Sequence, residues 1–311
     1  MNQLSKDLVA ALGFAPQVMR LRDGVDCFVE RAHPAMREML EHQFGPGSKY
    51  FRPLTIFACH QARCGGRITG RLMRRAVVLE MMHNVSLIID DILDQSPTRR
   101  GRETLHCKFG LLPALMASGY IVAEGYRMSA DDPYAVGVFS ELLQRLGVAE
   151  CTQWAWRRQP LGFEDWKWLA QEDTGSMFEA CAALATGDDS LRQFGRLLGM
   201  IYHGCDDVAD VKGLDSLGGG GQDDLRDGIL TLPASLAIQA SADIRDLFCA
   251  PRPSKSQLKR IAGAMADQLP QAEDKLDDLA VAAKWEALEH ARQGAPVLHA
   301  LVDHTRELSR R

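Results

Sequence analysis

No Cys-x-x-Cys pair occurs among the eight cysteines of this 311-residue chain. Scattered singly and mostly in apolar stretches, they read as reduced, buried thiols of a cytosolic protein. A basic excess is missing as well: 36 lysines and arginines face 41 acidic residues, for a net charge of −5. That balance leaves no electrostatic case for nucleic acid or an anionic membrane surface as a partner. No apolar run reaches the roughly 18 residues that a membrane span needs. The first residues, Met1-Asn2-Gln3-Leu4-Ser5-Lys6-Asp7, lack the basic-then-apolar design of a secretion signal, so a cytoplasmic location is expected. Convincing alternation of the strand kind is absent, and so is any repeat at a fixed period. No composition shift marks a second domain. Residues 1–311 are therefore expected to form a single all-α domain, with the 46% hydrophobic and 25% charged content of an ordinary globular protein.

What is present is helical periodicity. Pro34 is placed to open a helix in its first turn, and Gly45-Pro46-Gly47 to break one. Long apolar helices are expected over about 71–93, 111–128, 166–184 and 191–211, and another over 135–148. The acidic pairs Asp131-Asp132 and Asp188-Asp189 precede helices and read as caps. Residues 214–228 read as a glycine-rich loop, and 233–248 as one helix before the amphipathic C-terminal helices.

Against that background Asp90-Asp91-Ile92-Leu93-Asp94 stands out, because it ends an apolar helix. Burying an unpaired charge costs several kcal/mol, so a metal or cationic partner is implied. At about 100° per residue Asp90 and Asp94 share a face, with Asp91 beside them. That suits hard divalent ions such as magnesium, which prefer oxygen ligands and retain water or phosphate oxygens. Arg99 and Arg100 follow closely, and their guanidinium forks match phosphate geometry. A second apolar helix ends in the same pattern, Asp206-Asp207-Val208-Ala209-Asp210. The pair argues for two facing walls of one cavity, which would hold a polyphosphate through metal ions and ionise its carbon–oxygen bond.

These motifs, with Ser96-Pro97-Thr98-Arg99-Arg100-Gly101 after the first, resemble the trans-isoprenyl diphosphate synthases, or polyprenyl synthetases. The stretches from His83 to Ile92 and from Thr104 to Gly110 are similar to the geranylgeranyl diphosphate synthase branch. The resemblance implies a helical bundle around a deep central pocket, usually a homodimer. It implies condensation of isopentenyl diphosphate with an allylic prenyl diphosphate, assisted by magnesium. On that resemblance Asp90, Asp91, Asp94, Asp206, Asp207 and Asp210 are magnesium ligands. Lys49, Arg52, His83 and Arg100 match the isopentenyl diphosphate site, and Arg99 an allylic diphosphate contact. Thr174 and His203 are further candidates for substrate contact; His203 stands where the family often has glutamine.

Three positions depart from the family pattern: Asp173, Gly219 and Ile229 stand where lysines are usual. The first two would normally touch the allylic diphosphate, and each lost contact is worth about 1.5–3 kcal/mol. Replacing Asp173 with lysine is thus expected to strengthen allylic binding. The departures keep two other readings open, a diverted prenyl diphosphate enzyme of terpene-synthase kind and a non-catalytic partner subunit. Product length in this family is set just before the first motif, here at Val85 and Ser86. Neither is a large aromatic, so a product of C15 to C20, with geranylgeranyl preferred, is expected.

Overall fold

The computed structural model describes residues 3–45, 50–214 and 221–310. Most of them are helical, as the periodicity requires, and they group into two compact units. The first takes in residues 1–143 and 180–190, and the second residues 144–179 and 191–311.

In the first unit α1 (Gln3–Leu12), α2 (Ala15–Arg31), α3 (Pro34–Gln43) and α4 (Phe51–Cys64) lead to α5 (Gly70–Leu93). Pro34 does open α3, and the His33 ring accepts from the Ala35 amide at 3.2 Å as its cap. Thr69 caps α5 in the same way, accepting from Leu72. No apolar stripe distinguishes α5, because it is buried on every side, from Leu72 through Met81, Met82 and Val85 to Ile88. Each large aliphatic side chain so buried contributes about 1.5–3 kcal/mol. Helices α2, α4 and α7 (Leu111–Met128) pack around it.

Between α5 and α7 lie β1 (Thr98–Arg99), β2 (Arg102–Glu103) and α6 (Leu105–Phe109). The hairpin departs from the expectation of no strand. Its two-residue strands carry no apolar alternation to betray them. Asp132 caps α8 (Pro133–Ala155) through the Ala135 amide and binds Arg75 with both oxygens, at 2.7 and 3.0 Å. The chain passes to the second unit inside α8, which is longer than the 135–148 expected.

In the second unit the helix expected over 166–184 is broken. It forms α9 (Phe163–Ala170), a π turn (Gln171–Gly175) and α10 (Ser176–Thr186), whose later residues belong to the first unit. The π turn bulges because α11 (Arg192–Lys212) approaches at backbone distance. A Cβ on Gly199 would lie 2.6 Å from the Thr174 carbonyl oxygen, and one on Gly195 would lie 2.4 Å from that of Phe178. Asp188 does not cap α11; it closes a turn onto the Ser190 amide at 2.9 Å.

The loop expected over 214–228 is helical at α12 (Gly221–Asp227), while residues 215–220, including Gly219, lie outside the described part. Ser241 splits the helix expected over 233–248, because its hydroxyl accepts from Ile244 and starts a new one. The result is α13 (Leu232–Ala240) and α14 (Ala242–Phe248). Helices α15 (Lys255–Asp267), α16 (Leu269–Ala291) and α17 (Ala295–Arg310) complete the unit. Arg306 of α17, 2% exposed, ties three of these helices together. It donates to Glu273 at 2.7 Å and Asp277 at 2.9 Å on α16, and to the Cys205 sulfur at 3.3 Å on α11.

Candidate active site

In the first unit Asp90, Asp91 and Asp94 end α5, where the backbone tightens through Asp94 N–H to Asp90 O at 2.9 Å. Asp90 and Asp94 are half-buried, whereas Asp91 is 3% exposed. Arg99 Nε donates to Asp91 Oδ1 at 2.7 Å. Burial pushes the Asp91 carboxyl above the usual range, and the Arg99 charge offsets this only in part. The arginine expected at an allylic diphosphate is thus already held by the first aspartate cluster.

Two turns earlier on the same helix, His83 Nε2 lies 3.1 Å from Arg52 Nη1 of α4. A guanidinium can only donate, so Nε2 accepts and the neutral ring carries its proton on Nδ1. Lys49, expected at the same site, lies outside the described residues. Val85 is 7% exposed, and the Ser86 hydroxyl turns back to the His83 carbonyl at 2.9 Å.

Arg100 sits in the hairpin turn with φ 55°, ahead of Gly101 at φ 74°. A polar cavity of about 40 Å³ opens there, with Asn84, Asp91, Arg99, Arg100, Arg102 and His42 in its wall. His42 and Arg102 carried no signal in the sequence. Their contact spans 60 positions, and neither belongs to a recognisable pattern.

In the second unit Asp206, Asp207 and Asp210 lie on α11. Asp207 Oδ2 accepts from Trp166 Nε1 of α9 and from the Leu232 amide of α13, both at 2.8 Å. Burial raises the Asp207 carboxyl, against the charge of His203. Gly195, Gly199 and His203 recur every four residues, so the face that meets the π turn ends in His203. There His203 Nδ1 lies 3.0 Å from Thr174 Oγ1 and 3.4 Å from Asp173 Oδ2. The Thr174 hydroxyl itself donates to Asp173 Oδ2 at 3.0 Å. Burial opposes a charge on His203, but Asp207 and the bond to Asp173 outweigh it and raise the ring to about 9. Asp173 is therefore balanced by a cation. Ile229, the other lysine replacement, is half-buried, and its amide donates to the Asp224 carbonyl.

Among the described residues no three His, Cys, Asp or Glu side chains converge into a ready metal cage. No helix among them is long and apolar enough to cross a membrane.

Residues 33–265 match the family model of polyprenyl synthetase. The chain is 28% identical to the nonaprenyl diphosphate synthase of Mycobacterium tuberculosis, over 96% of this chain and 94% of that protein. The chain spans less of the chloroplastic solanesyl diphosphate synthase 2 of Arabidopsis thaliana, 62% of its length at 27% identity. Among solved structures, a decaprenyl diphosphate synthase from Rhodobacter capsulatus superposes with a TM-score of 0.86 at 20% identity. That match covers 99% of this chain and all of the other. A polyprenyl synthase from Caulobacter crescentus, complexed with calcium and isoprenyl diphosphate, gives 0.83 at 23% identity, covering 99% and 98%. These likenesses show the shared all-α isoprenoid synthase fold. The family match takes in well over half of the chain, and with it this protein belongs to the polyprenyl synthetase family and is a trans-prenyltransferase.

Proposed function

We propose that this protein condenses isopentenyl diphosphate with an allylic prenyl diphosphate, and that its product is geranylgeranyl diphosphate or longer. The observation that carries the reading is the arrangement on α5. One buried helix presents His83, paired to Arg52, and ends in Asp90 and Asp94. The two groups are seven residues apart, about 10 Å at a rise of roughly 1.5 Å per residue. A cationic site for one diphosphate and a carboxylate site for another are thereby held on a single rigid element.

The carboxylate donors fit magnesium. All are oxygen, and Asp90, Asp94, Asp206 and Asp210 are half-buried and within reach of water. An ion that keeps water and diphosphate oxygens in its shell does not need a cage of three side chains. The Caulobacter structure, with calcium and isoprenyl diphosphate, supports the same choice of a hard divalent ion. When bound, magnesium would neutralise the leaving diphosphate and lower the cost of breaking the allylic carbon–oxygen bond. In this reading Asp90, Asp91, Asp94, Asp206, Asp207 and Asp210 hold the ions. Arg52, His83, Arg100 and Lys49 bind isopentenyl diphosphate. Arg99 orients Asp91, and Thr174 with His203 supplies the positive edge at the allylic diphosphate.

Val85 and Ser86 offer no aromatic barrier, which supports elongation past C15. The nonaprenyl and solanesyl names of the relatives favour a product longer than the C20 expected from those two residues. The exposed row Leu111, Leu112, Leu115 and Met116 on α7, 37–70% exposed, supports a homodimer. None of the eight cysteines is paired, which supports a cytoplasmic location. Incubation with magnesium, isopentenyl diphosphate and each allylic primer in turn, with products identified by mass spectrometry, tests the reading. Elongated diphosphates are expected. Hydrocarbons or alcohols instead would make the protein a diverted enzyme, and no turnover with any primer would make it a partner subunit.

A further inference from the structure

The β1–β2 hairpin is built against two local difficulties. Its register puts Arg99 directly opposite Arg102, and like charges facing each other across strands repel. Its two-residue turn requires positive φ at both central positions, and one of these is Arg100, not glycine. A backbone so strained persists only where surrounding contacts over-determine it. Asp91 draws Arg99 aside at 2.7 Å. The other anchor is His42, at the end of α3.

His42 Nε2 lies 2.8 Å from the Glu103 carbonyl oxygen. A carbonyl only accepts, so Nε2 carries the proton and, in the neutral ring, Nδ1 is left as an acceptor. Onto Nδ1 converge two groups that can only donate, Arg102 Nη2 at 3.2 Å and Lys108 Nζ at 3.4 Å. One tautomer satisfies all three contacts. The edge of Phe109 closes against the ring at 5.7 Å between centroids. A single imidazole thus fastens β2 by backbone and side chain together, and ties in α6 through Lys108 and Phe109.

We propose that His42 is a positioning residue for isopentenyl diphosphate. By fastening β2 it holds the strained Arg100 turn in the orientation that presents the Arg100 guanidinium to the diphosphate. The inference rests on the reading above, in which Arg100 contacts that substrate. His42 itself touches no substrate, and Arg99 keeps its own anchor in Asp91. Loss of the latch therefore acts selectively on one of the two substrates.

The test is steady-state kinetics on the full chain with H42L, H42Q, R102Q and the H42L/R102Q double variant, alongside calorimetric titration of isopentenyl diphosphate. H42L is expected to raise the KM for isopentenyl diphosphate by about tenfold, the scale of one charge-assisted contact put out of place. The KM for the allylic substrate and kcat should stay within about twofold, since Thr174 and His203 take no part in the latch and Asp91 holds Arg99 separately. Glutamine can donate to Glu103 O and accept from the two cations, so H42Q should restore the wild-type constant. R102Q should reproduce the H42L effect, and the double variant should add nothing to it. Should H42L not fold, R102Q and H42Q carry the test alone. An unchanged KM for isopentenyl diphosphate in R102Q, an equal rise for both substrates, or additive single effects would overturn the inference. Wild-type protein that fails to bind isopentenyl diphosphate would overturn the functional reading with it. Normal wild-type binding that H42L leaves untouched would sink the inference alone.

Discussion

His203 Nδ1 stands 3.4 Å from Asp173 Oδ2, with the Thr174 hydroxyl 3.0 Å from each. Both positions depart from the family pattern, and they depart together. Read singly, Asp173 looks like a repulsive charge where a lysine should bind phosphate. Read as a pair, the cation has moved from the π turn to α11.

The geometry reverses the expectation for Asp173→Lys. A lysine there faces protonated His203 instead of an anion and deprives the imidazolium of its partner. The KM for the allylic diphosphate should rise or stay level in D173K, and D173K/H203Q should recover part of the loss. Both side chains are partly exposed, so the coupling in a double-mutant cycle should be on the order of 1 kcal/mol. A fall in KM for D173K alone would show that the pair does not govern binding.

The aspartates at the end of α5 should separate by role. Asp90 and Asp94 are half-buried, and alanine at either should cut magnesium-dependent turnover by about a thousandfold, or 4 kcal/mol of barrier, with the melting temperature little changed. Asp91 is buried against Arg99, whose own side chain is 36% exposed, so D91A should lose activity together with about 1 kcal/mol of stability. Turnover with and without chelator, beside thermal melts, distinguishes the two patterns. Full activity in D90A or D94A would remove the metal assignment.

Arg306 carries a prediction about stability first. It is 2% exposed and holds α11, α16 and α17 through Glu273, Asp277 and the Cys205 sulfur. Methionine there keeps the apolar stem and leaves Glu273 to Lys212 alone, 2.6 Å away, so the expected loss is about 1–3 kcal/mol in a denaturant titration. Because Cys205 adjoins Asp206, the variant should also weaken magnesium-dependent turnover more than its melting temperature alone explains.

The all-α class and the reach of α5 were legible in the sequence, since an apolar run of that length ending in aspartates has few other solutions. The placement of the aspartate motifs, at the end of α5 and on α11, was legible because each follows a long apolar run. The π turn was not, since it answers to the backbone approach of Gly195 and Gly199 from a helix distant in sequence. His42 was illegible for the same reason: its partners are Arg102, Glu103 and Lys108, and nothing near position 42 announces them. Asp173 was legible as a departure, but its contact with His203 was not, because the two lie thirty positions apart.

The Glu179 carboxylate, with its side chain 4% exposed, is gripped by Arg145 at 2.9 Å, Arg196 at 2.9 Å and Arg192 at 3.1 Å. Burial alone would raise its carboxyl, but the hydrogen bonds from Arg196 and Arg145 prevail and hold it below the ordinary value of 4.5. A depressed carboxyl stabilises the fold fully above the pH at which the unfolded chain titrates. That stability drains away as pH falls through the folded value. Glu179→Gln should therefore cost about 3–5 kcal/mol at neutral pH, because three arginines lose their shared anion. The difference from wild type should shrink below about pH 4 and vanish once both chains are fully protonated. Chemical denaturation across pH 3 to 7 measures this directly. A wild-type–variant gap that stayed constant over that range would mean that packing, not charge, holds α10 to its arginines.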